Sequence, residues 1–295
     1  MAASAPRLSQ GWAYAAWILV CVVWGTTYLA IRIALETMPP MLMAGIRWLA
    51  AGAALLAFLL IKGRPIPPSQ AWPGLALLGV LMTGFGNGGV VWAEQTISSG
   101  LAALLVAAIP FWMVGIDRFA VHPEPLRPLR IAGLVIGFFG VLLLVWPELE
   151  HPQQGSLLGI AATQLACVGW SIGSIYSRQR RKDEDVLSAA ALQMLFGGVV
   201  LLAVGLFFRE WPALHVNSRT LTAVVYLAAI GSIAGYSAYL YALRHLPVST
   251  VSLYAYVNPI IAVALGTALL DEPFSPRIAL AGGIVLVGMV LVRRN

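Results

Sequence analysis

The chain has 295 residues, of which 60% are hydrophobic and only 10% are charged, and its mean hydropathy is +0.85. Soluble domains carry about 25% charged residues, so this composition excludes a water-soluble fold and predicts a lipid bilayer as the surroundings. The net charge of +6 comes from short basic clusters between apolar runs, a pattern that excludes a nucleic-acid-binding face.

Ten apolar runs follow one another along the chain, separated by Pro, Gly and charged residues. A transmembrane helix needs about 20 apolar residues, so each run predicts one crossing. The predicted spans are 13–34, 40–61, 72–93, 98–117, 129–146, 156–177, 186–207, 220–242, 249–270 and 277–293. The sequence therefore predicts an all-α polytopic membrane protein with ten transmembrane helices, numbered 1–10 below.

Basic residues are distributed unevenly between the two sides of these helices. If the N-terminus is cytoplasmic, thirteen of the eighteen Lys and Arg residues fall in inner loops and tails, and only Arg209, Arg219 and Arg277 fall in outer loops. The positive-inside rule therefore predicts that both termini are cytoplasmic.

The two halves of the chain resemble each other. A shift of 146 residues superimposes Cys21 on Cys167 and Trp24 on Trp170, and a shift of 149 superimposes Pro110 on Pro259. Matches in the same order predict a first repeat at 1–150, with helices 1–5, and a second at 151–295, with helices 6–10. Five crossings is an odd number, so the second repeat enters the membrane inverted. Inverted repeats are typical of transporters, in which a midplane site between the halves opens alternately to each side.

Three features that suggest enzymes or cofactors have simpler explanations. The sequence GFGNGG at 84–89 fits a dinucleotide-binding pattern, but it lies inside a predicted span, so no cofactor is expected. GWSIG at 169–173 fits a nucleophile elbow, but every histidine falls in a predicted loop, which leaves an intramembrane serine hydrolase at Ser171 as a remote alternative. Cys21 and Cys167 lie in apolar runs, so we expect no disulfide and no metal site.

Charged and polar side chains within the spans indicate where a solute binds, because each costs a few kcal/mol at the bilayer centre unless it is paired or hydrated. Arg47 lies about two turns into helix 2, and its repeat partner is Gln193 on helix 7. We predict that both face the central cavity. Glu94, at the outer end of helix 3, could form an ion pair with Arg47, or it could reach the interface, as could Arg32.

Aromatic and amide side chains complete the predicted substrate-binding set. Several aromatics lie far from the interfaces where Trp and Tyr usually anchor, and they suit a cavity for an aromatic or amphipathic solute, although packing explains some of them. The predicted set is Trp24, Tyr28, Arg47, Asn87, Glu94, Trp170, Gln193, Tyr236, Tyr239, Tyr256 and Asn258. Pro110 and Pro259, at matching positions in helices 4 and 9, are predicted hinges because proline removes a backbone hydrogen bond.

Two stretches resemble the drug/metabolite transporter superfamily. They are WGTTYLAIR at 24–32 with MAGIR at 43–47, and YAYVNP at 254–259 followed by DEP at 271–273, which is similar to the EamA family. The resemblance covers nearly the whole chain. It implies ten helices in two inverted repeats, a location in the cell inner membrane, and export of small metabolites, amino acids or amphipathic compounds. The helix-1 glutamate that couples drug to protons in related four-helix transporters has no counterpart here before Glu36.

The expected function is therefore a carrier that exports small organic solutes, most plausibly aromatic or neutral amino acids or amphipathic drug-like compounds, through a central cavity. Arg47 would contact a carboxylate, and Trp24, Tyr28, Trp170 and Tyr256 would contact the rest of the solute. A passive facilitator or channel is the alternative. The expected partners are a small-molecule substrate and the bilayer, without nucleic acid, and the sequence is compatible with a monomer.

Overall fold

A computed structural model describes residues 7–119, 128–150, 154–179, 184–272 and 274–293. Within these ranges the chain forms ten helical segments and no strand, labelled α1–α10 in chain order. Their bounds are Arg7–Ala34 (α1), Pro40–Ile61 (α2), Ser69–Ala93 (α3), Ser99–Val106 and Ile109–Asp117 (α4), Pro128–Glu150 (α5), Ser156–Gln179 (α6), Val186–Phe207 (α7), Ser218–His245 (α8), Val248–Val251 and Tyr254–Leu270 (α9), and Pro276–Arg293 (α10).

Seven of these helices are long and apolar enough to cross a bilayer, and shorter apolar stretches lie in α5, α9 and α10. The predicted all-α polytopic membrane fold is confirmed. The predicted bounds of helices 2 and 7 coincide with α2 and α7. Which side of the membrane each end faces stays a prediction, so the ends are called the predicted outer and inner ends below.

Local sequence explains where several helices begin and end. Pro40 opens α2, where its missing N–H would have no partner in any case. The Asp185 carboxylate accepts hydrogen bonds from the backbone N–H groups of Leu187 and Ser188, which caps α7. Asp271 ends α9 with a left-handed backbone at φ 52°.

Four helices are irregular, and they fall at matching places in the two halves. The middle of α3 (Gly79–Asn87) and the middle of α8 (Leu227–Tyr236) are π-helical. The helix α4 is interrupted at Ala107 and Ala108, and Pro110 is the second residue of the segment that follows. In α9 the interruption lies at residues 252–253, and Pro259 lies inside the second segment. The sequence did not predict the π-helical stretches, which are frequent at functional sites.

The contacts between the two halves occur in exchanged pairs. Helix α1 packs against α8 and α9, and α6 packs against α3 and α4; likewise α2 packs against α8, and α7 against α3. Three further contacts join counterparts directly, α2 with α7, α4 with α9 and α5 with α10. The pairs are those expected for the predicted repeats, whose inverted arrangement stays a prediction.

Small residues bring α2 and α7 into close contact. A Cβ atom at Gly45 would lie 2.7 Å from the backbone nitrogen of Leu202, and one at Gly198 would lie 2.8 Å from that of Leu49. Only glycine permits such backbone approach, as in other membrane helix pairs. The seam between α2 and α7 therefore joins the two halves along their length.

Polar contacts tie the halves together at both ends. At the predicted outer end, the Glu210 carboxylate accepts a hydrogen bond from the backbone N–H of Leu42 at 2.8 Å. At the predicted inner end, Arg64 pairs with Asp185 at 3.7 Å, and Ser188 donates to the carbonyl oxygen of Pro65 at 2.9 Å.

Candidate functional site

A cavity, called the central cavity here, lies between helices of both halves. Its walls come from α1, α2, α3, α4, α6 and α9, so both repeats contribute. The lining residues are Trp24, Thr27, Tyr28, Ile31, Arg47, Trp48, Gly86, Asn87, Val90, Val106, Ile109, Ala166, Cys167, Trp170 and Tyr254. The wall is mostly apolar and aromatic with a few polar groups, which is typical of sites for small organic molecules.

An aromatic cluster forms one side of the central cavity. The ring of Trp24 meets Trp170 edge-on at 5.3 Å between centroids and Tyr254 edge-on at 5.0 Å. The indole N–H of Trp24 donates to the carbonyl oxygen of Gly231 at 3.0 Å, which fixes the ring against α8. Edge-on pairs of this kind are favoured by the ring quadrupoles, so the cluster offers a rigid apolar surface to a solute.

Arg47 supplies the cation of the central cavity. Its side chain is 2% exposed, its Nε donates to the hydroxyl of Ser232 on α8 at 2.9 Å, and its guanidinium carbon lies 4.7 Å from the centroid of the Trp48 ring. Its Nη1 has no hydrogen-bond partner. A buried guanidinium with an unused donor is well suited to bind an anionic oxygen, because that bond would offset part of its burial cost.

Asn87 also belongs to the central cavity. It stands at the end of the π-helical stretch of α3, and its Oδ1 accepts a hydrogen bond from the indole of Trp48 at 2.8 Å. Asn258 lies nearby but does not line the cavity. It is buried, and its amide is assigned with the nitrogen towards the carbonyl oxygens of Cys21 and Tyr254, because only that orientation allows hydrogen bonds, at 2.9 Å and 3.0 Å, which join α9 to α1.

Glu94 lies beyond the cavity wall at the predicted outer end. It is fully buried, and neither of its carboxylate oxygens has a hydrogen-bond partner. Arg32 donates from Nη1 to the main-chain carbonyl oxygen of Glu94, not to its carboxylate. Among the residues that the structure describes, Glu94 and Arg47 form no ion pair within 4 Å, although their charges interact at longer range.

Gln193 lines a second cavity instead of the central one. This second cavity lies towards the predicted inner end and is lined by Leu75, Leu78, Ser177, Arg178, Glu184, Val186, Ala189, Gln193, Leu240, Leu243 and Arg244. Arg47 and Gln193 were predicted to face one cavity as partners of the predicted repeat. The structure places Arg47 in the central cavity and Gln193 in the second one.

Tyr236 lies between the two cavities. Its hydroxyl donates to Oε1 of Gln193 at 2.6 Å, and its ring meets Trp48 at 5.5 Å and Trp170 at 6.1 Å, both of which line the central cavity. The side chain is completely buried. Tyr236 therefore connects the walls of the two cavities, and we call its contact with Gln193 the partition.

Two residues of the predicted set remain, Tyr239 and Tyr256. The hydroxyl of Tyr239 accepts from the indole of Trp170 at 3.2 Å and lies 2.8 Å from the hydroxyl of Ser174, so it supports the aromatic cluster from behind. The side chain of Tyr256 lies outside the described residues.

Ser171 does not form a hydrolase site among the described residues. Its hydroxyl is buried and donates to the carbonyl oxygen of Cys167, four residues earlier on α6, at 2.7 Å. His215 and His245 lie at helix ends or in loops, and His122 and His151 fall outside the described residues. Over the described part of the chain, no group of His, Cys, Asp and Glu could hold a metal ion, and both cysteines are free and buried.

Two aromatic residues that line the central cavity are absent from the predicted substrate-binding set. Trp48 both stacks on Arg47 and donates to Asn87, and Tyr254 contacts Trp24. Trp48 directly follows Arg47 and lies as far from the interface, a position that could have identified it. Tyr254 could not be distinguished from a packing residue by position alone.

Comparisons with known proteins agree with this architecture. The model of the EamA-like transporter family matches the chain twice, at residues 11–146 and 157–294. The uncharacterized inner membrane transporter YedA of Escherichia coli is 37% identical over 273 residues, which cover 92% of this chain and 87% of that protein. A probable amino-acid metabolite efflux pump of Escherichia coli is 25% identical over 285 residues, 93% of this chain and 92% of that protein.

A crystal structure of another protein has the same fold, with a TM-score of 0.72 over 95% of this chain and 96% of that one, at 21% identity. Together with the two family matches and the membrane-spanning helices, these likenesses confirm the family and the inner-membrane location predicted from the sequence. The chain belongs to the EamA-like transporter family and is a multi-pass inner-membrane transporter.

Proposed function

We propose that this transporter exports small organic metabolites, with aromatic or neutral amino acids and amphipathic compounds as the leading candidates, by alternating access through the central cavity. The observation that carries the proposal is Arg47, a buried guanidinium with an unused Nη1 on the wall of an aromatic cavity. A carboxylate bound there would neutralise the buried charge. The rest of the solute would contact Trp24, Tyr28 and Trp170.

The relation of the two cavities supports alternating access. Arg47 lines the central cavity and its repeat partner Gln193 lines the second, while Tyr236 and Gln193 separate the two. A solute that crosses the protein would have to break the hydrogen bond between these two side chains. Exchange of conformations between the halves would open one cavity as it closes the other.

The test is uptake into proteoliposomes of a panel of radiolabelled amino acids, related carboxylates and aromatic amines. We expect saturable uptake of at least one carboxylate-bearing compound, with faster exchange when the same compound is loaded inside. Hydrogen bonds to a charged group contribute about 1.5–3 kcal/mol, so Arg47→Gln should weaken the apparent affinity for that compound by about 10- to 150-fold. Arg219→Gln, at an exposed ion pair with Glu36, is the matched control and should leave the affinity unchanged.

Uptake that rises linearly with concentration and shows no exchange would favour the passive facilitator or channel. Unchanged affinity in Arg47→Gln would refute the carboxylate site. The transporter relatives support a protein without enzymatic activity. Specific labelling of Ser171 by a serine-directed phosphonate probe would contradict that part of the proposal.

A further inference from the structure

Glu94, at the predicted outer end of α3, interacts electrostatically with three other charged side chains, those of Arg32, Arg47 and Glu272. Two of them have structural partners. The Glu272 carboxylate caps α4, because it accepts from the backbone N–H of Ser99 at 2.8 Å and from the Ser99 hydroxyl at 2.8 Å. Arg32 donates to the main-chain carbonyl oxygen of Glu94.

The other two charged side chains have unused hydrogen-bonding atoms. Arg47 leaves Nη1 without a partner, and Glu94 leaves both Oε1 and Oε2 without one. Apart from the hydroxyl of Ser237, these are the buried side-chain atoms without partners among the described residues. Buried polar groups are usually satisfied, and leaving charged ones unsatisfied is costly. The protein thus keeps one donor group of Arg47 and two acceptor oxygens of Glu94 free to bind a solute.

Glu94 shares a helix face with two residues of the central cavity. It follows Asn87 by seven residues and Val90 by four, and residues at these spacings share one face of a helix. Asn87 and Val90 both line the cavity. The carboxylate of Glu94 also interacts electrostatically with the guanidinium of Arg47, a further lining residue. Glu94 therefore lies on the cavity-lining face of α3, one turn further towards the predicted outer end.

We propose that Glu94 binds the ammonium group of the solute while Arg47 binds its carboxylate, so that the cavity selects zwitterions, specifically α-amino acids with an apolar or aromatic side chain. This inference rests on the proposed function. A simple carboxylate would satisfy Arg47 and leave Glu94 unpaired, and a simple amine would do the reverse. Only a solute with both charges satisfies both side chains, and its remaining part would lie on the aromatic cluster.

The test compares three compounds of the same size that differ only in charge: phenylalanine, 3-phenylpropionate and phenethylamine. Competition with phenylalanine uptake in proteoliposomes gives the relative affinities. We expect the wild-type protein to prefer phenylalanine at least tenfold over either analogue. In Glu94→Gln, the preference for phenylalanine over 3-phenylpropionate should fall at least tenfold, because both compounds still reach Arg47. Glu36→Gln, at the exposed pair with Arg219, should keep the wild-type preference.

Different failures have different meanings. Saturable uptake with equal affinity for phenylalanine and 3-phenylpropionate, or an unchanged preference in Glu94→Gln, would overturn the zwitterion site and leave the carrier intact. No saturable uptake of any panel compound would overturn the proposed function as well. If Glu94→Gln does not fold, the melting temperature of the wild-type protein is measured with each of the three compounds. We expect phenylalanine alone to raise it. An equal rise with 3-phenylpropionate would overturn the zwitterion site.

Discussion

The tightest contact between the halves near the cavities lies where α3 crosses α7, and it predicts the effect of one methyl group. A Cβ atom at Gly197 would lie 2.6 Å from the carbonyl oxygen of Gly79 and 3.0 Å from the backbone nitrogen of Gly84, and it would also meet the hydroxyl of Thr83. Non-bonded carbon contacts are optimal at about 3.5–4.0 Å. Two of the three obstructing atoms belong to the backbone, so no rotamer change relieves the overlap.

The expected cost of Gly197→Ala follows from this geometry. Overpacking in well-packed interiors costs about 1–3 kcal/mol, and backbone obstruction places this site at the upper end. Alanine regains about 1 kcal/mol through its helix propensity. The net destabilisation is about 2 kcal/mol, which corresponds to a fall of about 4–8 °C in the melting temperature for a chain of this size.

The measurement is the melting temperature of the purified protein in detergent, from size-exclusion chromatography after heating. Gly115→Ala in α4 is the matched control, because a Cβ atom there meets nothing within 4 Å. It should leave the melting temperature unchanged or raise it. Equal melting temperatures for the two variants would refute the close approach of α3 and α7.

Two further substitutions test the partition and the outer end. Tyr236→Phe removes the hydrogen bond to Gln193. We therefore expect net leak of solute from proteoliposomes to become faster relative to solute exchange. An unchanged ratio of leak to exchange would contradict the role of this hydrogen bond as the partition between the cavities. Glu272→Gln removes the charged cap of α4, which should cost about 1 kcal/mol and lower the melting temperature by about 2–4 °C. Glu36→Gln is the control and should lower the melting temperature less, because exposed ion pairs contribute little to stability. Equal effects of the two would argue against the cap.

The spans could be predicted because apolar length and proline punctuation determine where a helix crosses a bilayer. The bounds of α2 and α7 illustrate this. The π-helical stretches could not be predicted, since they depend on packing between helices. The glycines of 84–89 could be interpreted from the sequence as allowing helix 3 to approach a neighbouring helix closely, but only the structure shows that Gly84 lies against Gly197.

The site could be predicted where the residue type itself was informative. Arg47, Trp24 and Trp170 are costly or unusual within a span, and all three line the central cavity. Gln193 was predicted to face the central cavity but lines the second one, because a repeat match gives equivalent positions and does not show which cavity they line. The sequence could not show that Glu94 has no partner, because this depends on the contacts of Arg32 and Glu272, which bond to other groups in the structure.

The seam between α2 and α7 has a consequence for biosynthesis. Equivalent positions on the two helices, such as Gly52 and Gly198, are 146 residues apart in the chain. At about 5–20 residues per second, α7 leaves the ribosome about 7–30 s after α2. During that time the glycine face of α2 can contact only lipid or the helices made so far. The first half is therefore inserted before its main partner exists, and a chain that stops before α7 would leave this face open to other membrane proteins.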